Sequence, residues 1–134
     1  MYLPPNTIIA AGPVIIENGQ VLLNREFETE GTGGNFWMFP GGTVEDFNTS
    51  LEENCAREAR EELGIEIRII KPLRTLIVKR PDDANKLAIL AHFLAERIGE
   101  IKPGPETLEW GWFPLNQLPP NTAPNVVKIT KDLL

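Results

Sequence analysis

Arg57-Glu58-Ala59-Arg60-Glu61-Glu62-Leu63-Gly64-Ile65 closes the segment of this chain whose helical period is clearest. The period runs back to Ser50, so the sequence predicts a helix from Ser50 to Leu63. Ser50 is a good N-cap, Glu53 three residues on completes a capping-box pattern, and Gly64 is a natural stop. At 3.6 residues per turn, Leu51, Cys55, Ala56, Ala59 and Leu63 fall on one side, which is the expected core face. Glu58, Glu61 and Glu62, at i, i+3 and i+4, share a stripe that borders this face. Like charges at that spacing repel by a few tenths of a kcal/mol per pair, roughly, and by more when partly buried. Arg57, four residues before Glu61, offsets part of the repulsion.

The same region carries the chain's acidity. The 134 residues hold 13 Lys and Arg against 19 Asp and Glu, a formal charge of −6. From Glu45 to Glu66 there are eight acids and two bases, which leaves eleven of each elsewhere. The remainder is neutral. Nothing in it resembles the basic footprint of a protein that tracks a nucleic-acid backbone, so no extended nucleic-acid partner is expected. No apolar run approaches membrane-spanning length, and no charged leader with a long apolar stretch opens the chain, so no membrane partner is expected either. Cys55 is the single cysteine and cannot form an internal disulfide, which points to a reducing, cytoplasmic setting.

Around the helix the chain reads mostly as β. Thr7 to Ile16 is apolar and β-branched, interrupted by Gly12-Pro13. Glu17-Asn18-Gly19-Gln20 is a hairpin turn, with Val21-Leu22-Leu23 returning. Phe27 to Asn35 is a loop. Phe36 to Phe39 reads as a short aromatic strand that ends in a tight Pro40-Gly41-Gly42 turn. Ile65 to Val78 reads as one long or two short strands, and Leu87 to Ala95 as a central strand because it is almost wholly apolar. Trp110 to Pro114 is a last short strand, and Val126 to Leu133 a short helix after a proline-rich stretch. No linker divides the chain, so residues 1–134 are expected to form one domain. Strands and helices do not alternate, so a mixed-sheet α/β sandwich fits better than a doubly wound sheet.

Three carboxylates at the edge of a core suit a hard divalent cation such as Mg²⁺ or Mn²⁺. A solvated charged face is the ordinary alternative for a Glu-rich helix. The Gly41-Gly42 turn just upstream tips the balance, because bare backbone there can approach a metal or phosphate closely.

Taken together, Pro40-Gly41-Gly42 and Arg57 to Ile65 resemble the signature of the Nudix hydrolases (MutT-like), G-x5-E-x7-R-E-U-x-E-E-x-G-U with U aliphatic. Arg57, Glu58, Ala59, Glu61, Glu62, Gly64 and Ile65 match every defined position of its second half. The first half departs. Six residues after Gly42 stands Asn48, and with one inserted residue Thr49, so neither register supplies the first Glu. In the family that Glu is generally a supporting residue of the loop-helix unit; Glu45 and Asp46 are the nearest acids that could replace it. The hairpin Val14 to Arg25, the Trp37-Met38-Phe39-Pro40 approach and the Trp112 to Pro119 ending also look like a Nudix domain.

The resemblance implies a mixed sheet sandwiched between helices (α/β/α). It also implies Mg²⁺-dependent cleavage of the pyrophosphate bond in a nucleoside diphosphate-linked compound. The expected ligands are Glu58, Glu61 and Glu62, with the Gly42 carbonyl as a further one, and Arg57 would orient Glu61. A box Glu such as Glu61 or Glu58 serves as general base in some members and a Glu from a later loop in others; here Glu106 and Glu109 stand where such a loop would be. For substrate contacts, Gly41, Gly42, Arg25 and Trp37 are the candidates. Arg25 suits a phosphate or an exposed ion pair, and Trp37, Phe36 and Phe39 suit a stacked base or the core. Trp110 could line the pocket, whereas Trp112 and His92 read as structural and Cys55 as inert. Asn121 and Asn125 could reach a base edge. The compact chain leans toward a nucleoside triphosphate, cut to the monophosphate and pyrophosphate. ADP-ribose or a nucleotide sugar is the alternative, and loss of the first Glu favours a non-catalytic nucleotide-binding module. Homodimers are common in the family, but nothing in this sequence requires one.

Overall fold

The computed structural model describes residues 2–26, 36–80 and 83–134. Among these residues, seven strands and two helices follow in the order β1 (Ile8–Glu17), β2 (Gln20–Glu26), β3 (Gly42–Thr43), α1 (Leu51–Leu63), β4 (Glu66–Pro72), β5 (Leu76–Lys79), β6 (Leu87–Ile98), β7 (Thr107–Pro114) and α2 (Pro124–Asp132). The main path of the sheet is β4-β6-β1-β2-β7, with β3 on β1 and β5 on β6. β1 and β6 run parallel; the other pairs among the described residues are antiparallel. This is the expected mixed sheet between two helices.

β1 and β6, both rich in apolar residues, lie at the centre. Alternation splits their side chains between two faces. Ala11 and Ile15 join Cys55, Ala59 and Leu63 of α1 on one face. Val14, Val21 and Leu23 join Val126 and Ile129 of α2 on the other.

Gly12-Pro13 does not interrupt β1. Val44 N–H donates to Ile9 O at 2.7 Å, so odd-numbered residues of β1 turn their backbone groups toward β3. Pairing with β3 ends at Ala11 and pairing with β2 begins at Ile16. Pro13 falls in that gap, where its missing donor costs no ladder bond. The hairpin turn forms as expected, with Asn18 and Gly19 both at positive φ. The stretch from Ile65 to Val78 resolves into the two strands β4 and β5, both on β6.

Phe36 to Phe39 is not a regular strand. Trp37 exchanges bonds with Asn121 O and Ala123 N–H, and Met38 pairs in both directions with Asn24. The segment is extended, but each edge meets a different partner over single bridges. The predicted loop from Phe27 to Asn35 lies outside the described residues.

The helix phase also differs from the expectation. Leu51 is exposed and Ala56 only half-buried, while Glu58 and Glu62 are 9% and 7% exposed. The buried face is Asn54, Cys55, Glu58, Ala59, Glu62 and Leu63. Two of the three carboxylates therefore lie within the buried face, not along its border.

Candidate active site

Both ends of α1 are held by side chains and loops that build the site. At the start, Ser50 accepts from Glu53 N–H. Asn54 then does the anchoring for which the chain lacks a glutamate. Its amide donates to Asp46 O, Thr49 Oγ1 and Ser50 O at 2.9–3.2 Å, and its oxygen accepts from Arg57 at 3.4 Å. Of the two candidate replacements, Asp46 takes part through its backbone carbonyl and an Oδ1 bond from Asn48 N–H. Glu45 instead lines the cleft. An Asn one turn before Arg57 is the readable signal for this anchor, and it is easily missed because Asn is unremarkable in a first turn.

At the far end the last carbonyls of the helix need donors. Lys102 N–H donates to Leu63 O at 2.7 Å, and Glu62 O accepts from Gly104 N–H at 2.8 Å and from Thr107 Oγ1 at 3.0 Å. These bonds press the β6–β7 connection onto α1. They carry Pro105 and Glu106 into a cleft of about 920 Å³.

One part of that cleft is acidic: Glu45, Glu58, Glu61, Glu62 and Glu106, with Arg57 among them and Gly41 and Gly42 as its floor. Glu62 Oε2 accepts from Gly41 N–H at 2.8 Å and from the Asn24 amide at 3.4 Å. The Glu58 carboxylate lies against Gly42, where an added Cβ would meet both its oxygens within 2.8 Å. Arg57 reaches Glu58 Oε1 at 3.1 Å and both oxygens of Glu61 at 3.1 Å. Burial works against the Arg57 charge, but the Glu61 hydrogen bond and the charges of Glu58, Glu61 and Glu45 outweigh it and raise its pKa.

No three acidic, histidine or cysteine side chains among the described residues already converge as a metal cluster. Glu61 is drawn to Arg57 on the solvent side, while Glu62 takes the Gly41 N–H. The donor set nevertheless fits a hard divalent cation. It comprises three carboxylates on neighbouring turns, two of them buried, beside a backbone stripped to glycine.

The structure does not bring Arg25, Trp37 or Glu109 to the cleft wall. Arg25 and Glu109, partners across β2 and β7, form an ion pair, and the Arg25 guanidinium lies 5.1 Å from the Trp37 ring centroid. Trp37 packs edge-on against Phe113 at 4.8 Å. Its neighbours Phe36, Met38 and Phe39 line the cleft instead. Trp110 and Asn121 are not on the wall either, whereas Asn125 is. Asn24 was not anticipated; its place as the first polar residue after Val21-Leu22-Leu23 was its signal. Trp112 packs against the core, and Cys55 is buried, its thiol pushed to about 12 by burial and then by Glu52 and Glu58.

Residues 6–133 match the NUDIX domain family model. The chain belongs to the Nudix hydrolases. Over its whole length this MutT-like Nudix hydrolase is 32% identical to an ADP-ribose pyrophosphatase of Methanocaldococcus jannaschii, covering 76% of that protein. Over 74 residues, 55% of the chain, it is 36% identical to an 8-oxo-dGTP diphosphatase of Proteus vulgaris, and the match spans 64% of that protein. A MutT Nudix hydrolase structure from Burkholderia pseudomallei superposes with a TM-score of 0.84 at 23% identity, over 96% of this chain and 99% of that one, which shows the shared fold. Nudix hydrolases generally use divalent metals. Among the described residues no helix is long and apolar enough to cross a membrane.

Proposed function

We propose that the chain, acting as one domain, hydrolyses the pyrophosphate bond of a nucleoside diphosphate-linked compound with Mg²⁺ or Mn²⁺. The observation that carries this is the joining of two buried carboxylates, Glu58 and Glu62, to the bare Gly41-Gly42 edge in one cleft. Glu58, Glu61 and Glu62 would hold the cation, with the Gly42 carbonyl beside them. When bound, it would neutralise the diphosphate and ease deprotonation of the attacking water.

Arg57 fixes Glu61 by donating to both of its carboxylate oxygens. Asn24 and Gly41 N–H hold Glu62 against the strand edge. Water attacks one phosphorus; its P–O bond forms as the bridging P–O bond breaks, and the leaving phosphate oxygen takes the electron pair. The water's proton passes to a carboxylate. Glu106 is the favoured acceptor from the later loop, because it lines the cleft and Glu109 is engaged by Arg25. Glu61 or Glu58 in that role is the alternative.

A nucleoside triphosphate, cleaved to monophosphate and pyrophosphate, is one substrate reading. The full-length likeness to an ADP-ribose pyrophosphatase favours ADP-ribose or a nucleotide sugar as the second. A cytoplasmic setting accords with a buried, reduced Cys55.

The test is a Mg²⁺-supplemented panel of nucleoside triphosphates, ADP-ribose and nucleotide sugars, with monophosphate, phosphate and pyrophosphate measured as products. No turnover of any member would support a binding module instead. Glu61→Gln and Glu62→Gln are expected to lower kcat by at least about a hundredfold while the melting temperature stays within a few degrees. Wild-type turnover in either variant would remove that residue from the metal set.

A further inference from the structure

His92 is the single histidine of the chain and is buried, 3% exposed, on the α2 face of β6. Its Nδ1 lies 2.8 Å from the carbonyl oxygen of Arg74. A carbonyl can only accept, so Nδ1 carries the proton. In the neutral ring Nε2 is then a lone-pair acceptor. The Asn125 amide nitrogen stands 3.1 Å from it. The amide must donate there, because the reverse orientation would set two acceptors face to face. Hydrogen-bond chemistry thus fixes the orientation of the Asn125 amide.

The consequence falls in the cleft. Asn125 stands on its wall, and nothing among the described residues donates to the amide oxygen, the end turned away from His92. Apolar side chains share that wall, Ile8, Val78, Leu90 and Ala123, with Lys79 and Arg80 following Val78 along it. Such a surface, continuous with the acidic part, suits a flat heterocycle whose phosphates reach the glutamates.

We propose that the His92–Asn125 pair sets base preference by holding a hydrogen-bond acceptor toward the cleft, favouring a nucleobase with an exocyclic amino group over its oxo counterpart. The proposal rests on the nucleotide-hydrolase reading above. An amino group can donate to the Asn125 oxygen. An oxo group would face it lone pair to lone pair and leave both desolvated without a partner. His92 is the positioning residue, since it denies the amide its other orientation.

Two measurements test this on the whole protein. With one histidine, nitrogen NMR of the imidazole reads the tautomer directly, and the Nδ1–H form is expected. In parallel, kcat/KM with Mg²⁺ is compared for ATP against ITP, and for ADP-ribose against its hypoxanthine analogue. The amino member is expected to lead by about tenfold or more. In Asn125→Ala that ratio should collapse toward one, chiefly through loss on the amino substrate. His92→Gln should lower the ratio while Asn125 remains. A role confined to packing would move stability and leave the ratio alone. An Nε2–H tautomer, equal use of both bases by the wild type, or a ratio unchanged in Asn125→Ala would each overturn the proposal. Equal use leaves the hydrolase reading standing; no turnover of either base in either form overturns the proposal, and the hydrolase reading falls with it only if the wider panel is inert as well.

Discussion

A methyl group added at Gly42 would lie 2.7 Å from Glu58 Oε2, the far end of a flexible side chain. One added at Gly41 would lie 2.6 Å from Ala11 O and 2.8 Å from Gly12 Cα, which are backbone, at a residue whose φ is +152°. The two substitutions should therefore fail in different ways. Gly42→Ala can be accommodated by swinging Glu58 aside, so it should cost less than about 1 kcal/mol of stability yet lower kcat at least tenfold. Gly41→Ala should cost about 1–3 kcal/mol, because strand edge and turn must both shift. Urea denaturation beside turnover on the best substrate separates the two. Equal stability losses would show that the Glu58 carboxylate does not rest against Gly42. At this scale the Gly-Gly pair was legible as a place of close backbone approach. That each glycine admits a different neighbour was not, because both neighbours come from other parts of the chain.

At the scale of elements, His92 on β6 joins three pieces. Its ring bonds the connection between β4 and β5 at Arg74, abuts Phe39 at 5.5 Å, and meets α2 at Asn125. Arg74 in turn bonds Asp132 near the end of α2 at 2.9 Å. Burial lowers the His92 pKa; the bond to Arg74 O opposes this, and the Arg74 charge adds to it. The unfolded chain thus takes up its proton near pH 6.5, before the folded chain does. Stability should be undiminished above that pH and fall as pH drops below it. Urea midpoints between about pH 7.5 and 5.5 should show the fall, and His92→Gln should flatten it. An identical slope in the variant would exclude His92 as the source.

Elements also show where period reasoning stops. Cys55, Ala59 and Leu63 were assigned to the core correctly. Leu51 is exposed at the first turn of α1. Glu58 and Glu62 replace it in the buried face since Gly41 N–H, the Asn24 amide and Arg57 are there to satisfy them. An apolar count along one helix contains no information about donors on another strand.

Across the whole molecule, four of the eight acids counted between Glu45 and Glu66 line one cleft: Glu45, Glu58, Glu61 and Glu62. Binding a divalent cation there should relieve repulsion in the native state and leave the unfolded chain largely unaffected. At ten times its dissociation constant, Mg²⁺ should add about 1.4 kcal/mol and raise the melting temperature by roughly 5 °C. NaCl at matched ionic strength should do much less, since screening lowers repulsion without coordinating it. Glu62→Gln should blunt the Mg²⁺ response. Equal shifts from both salts would return the helix to a solvated charged face.

The sequence by itself determined the family, the mixed α/β architecture and the glutamates of α1. These depend on local period, turn chemistry and a motif contained within a few turns of chain. Tertiary structure alone decided which residues share the cleft. Ile8, Asn24, Gly42, Glu62, Glu106 and Asn125 are far apart in sequence and meet because β1 splits its partners and the β6–β7 connection caps α1. It likewise took Arg25, Trp37 and Glu109 off the cleft wall, since pairing β2 with β7 gave Arg25 a carboxylate directly across the sheet. Local period sets which face a side chain occupies, but a partner across the sheet sets whether that face is free to bind.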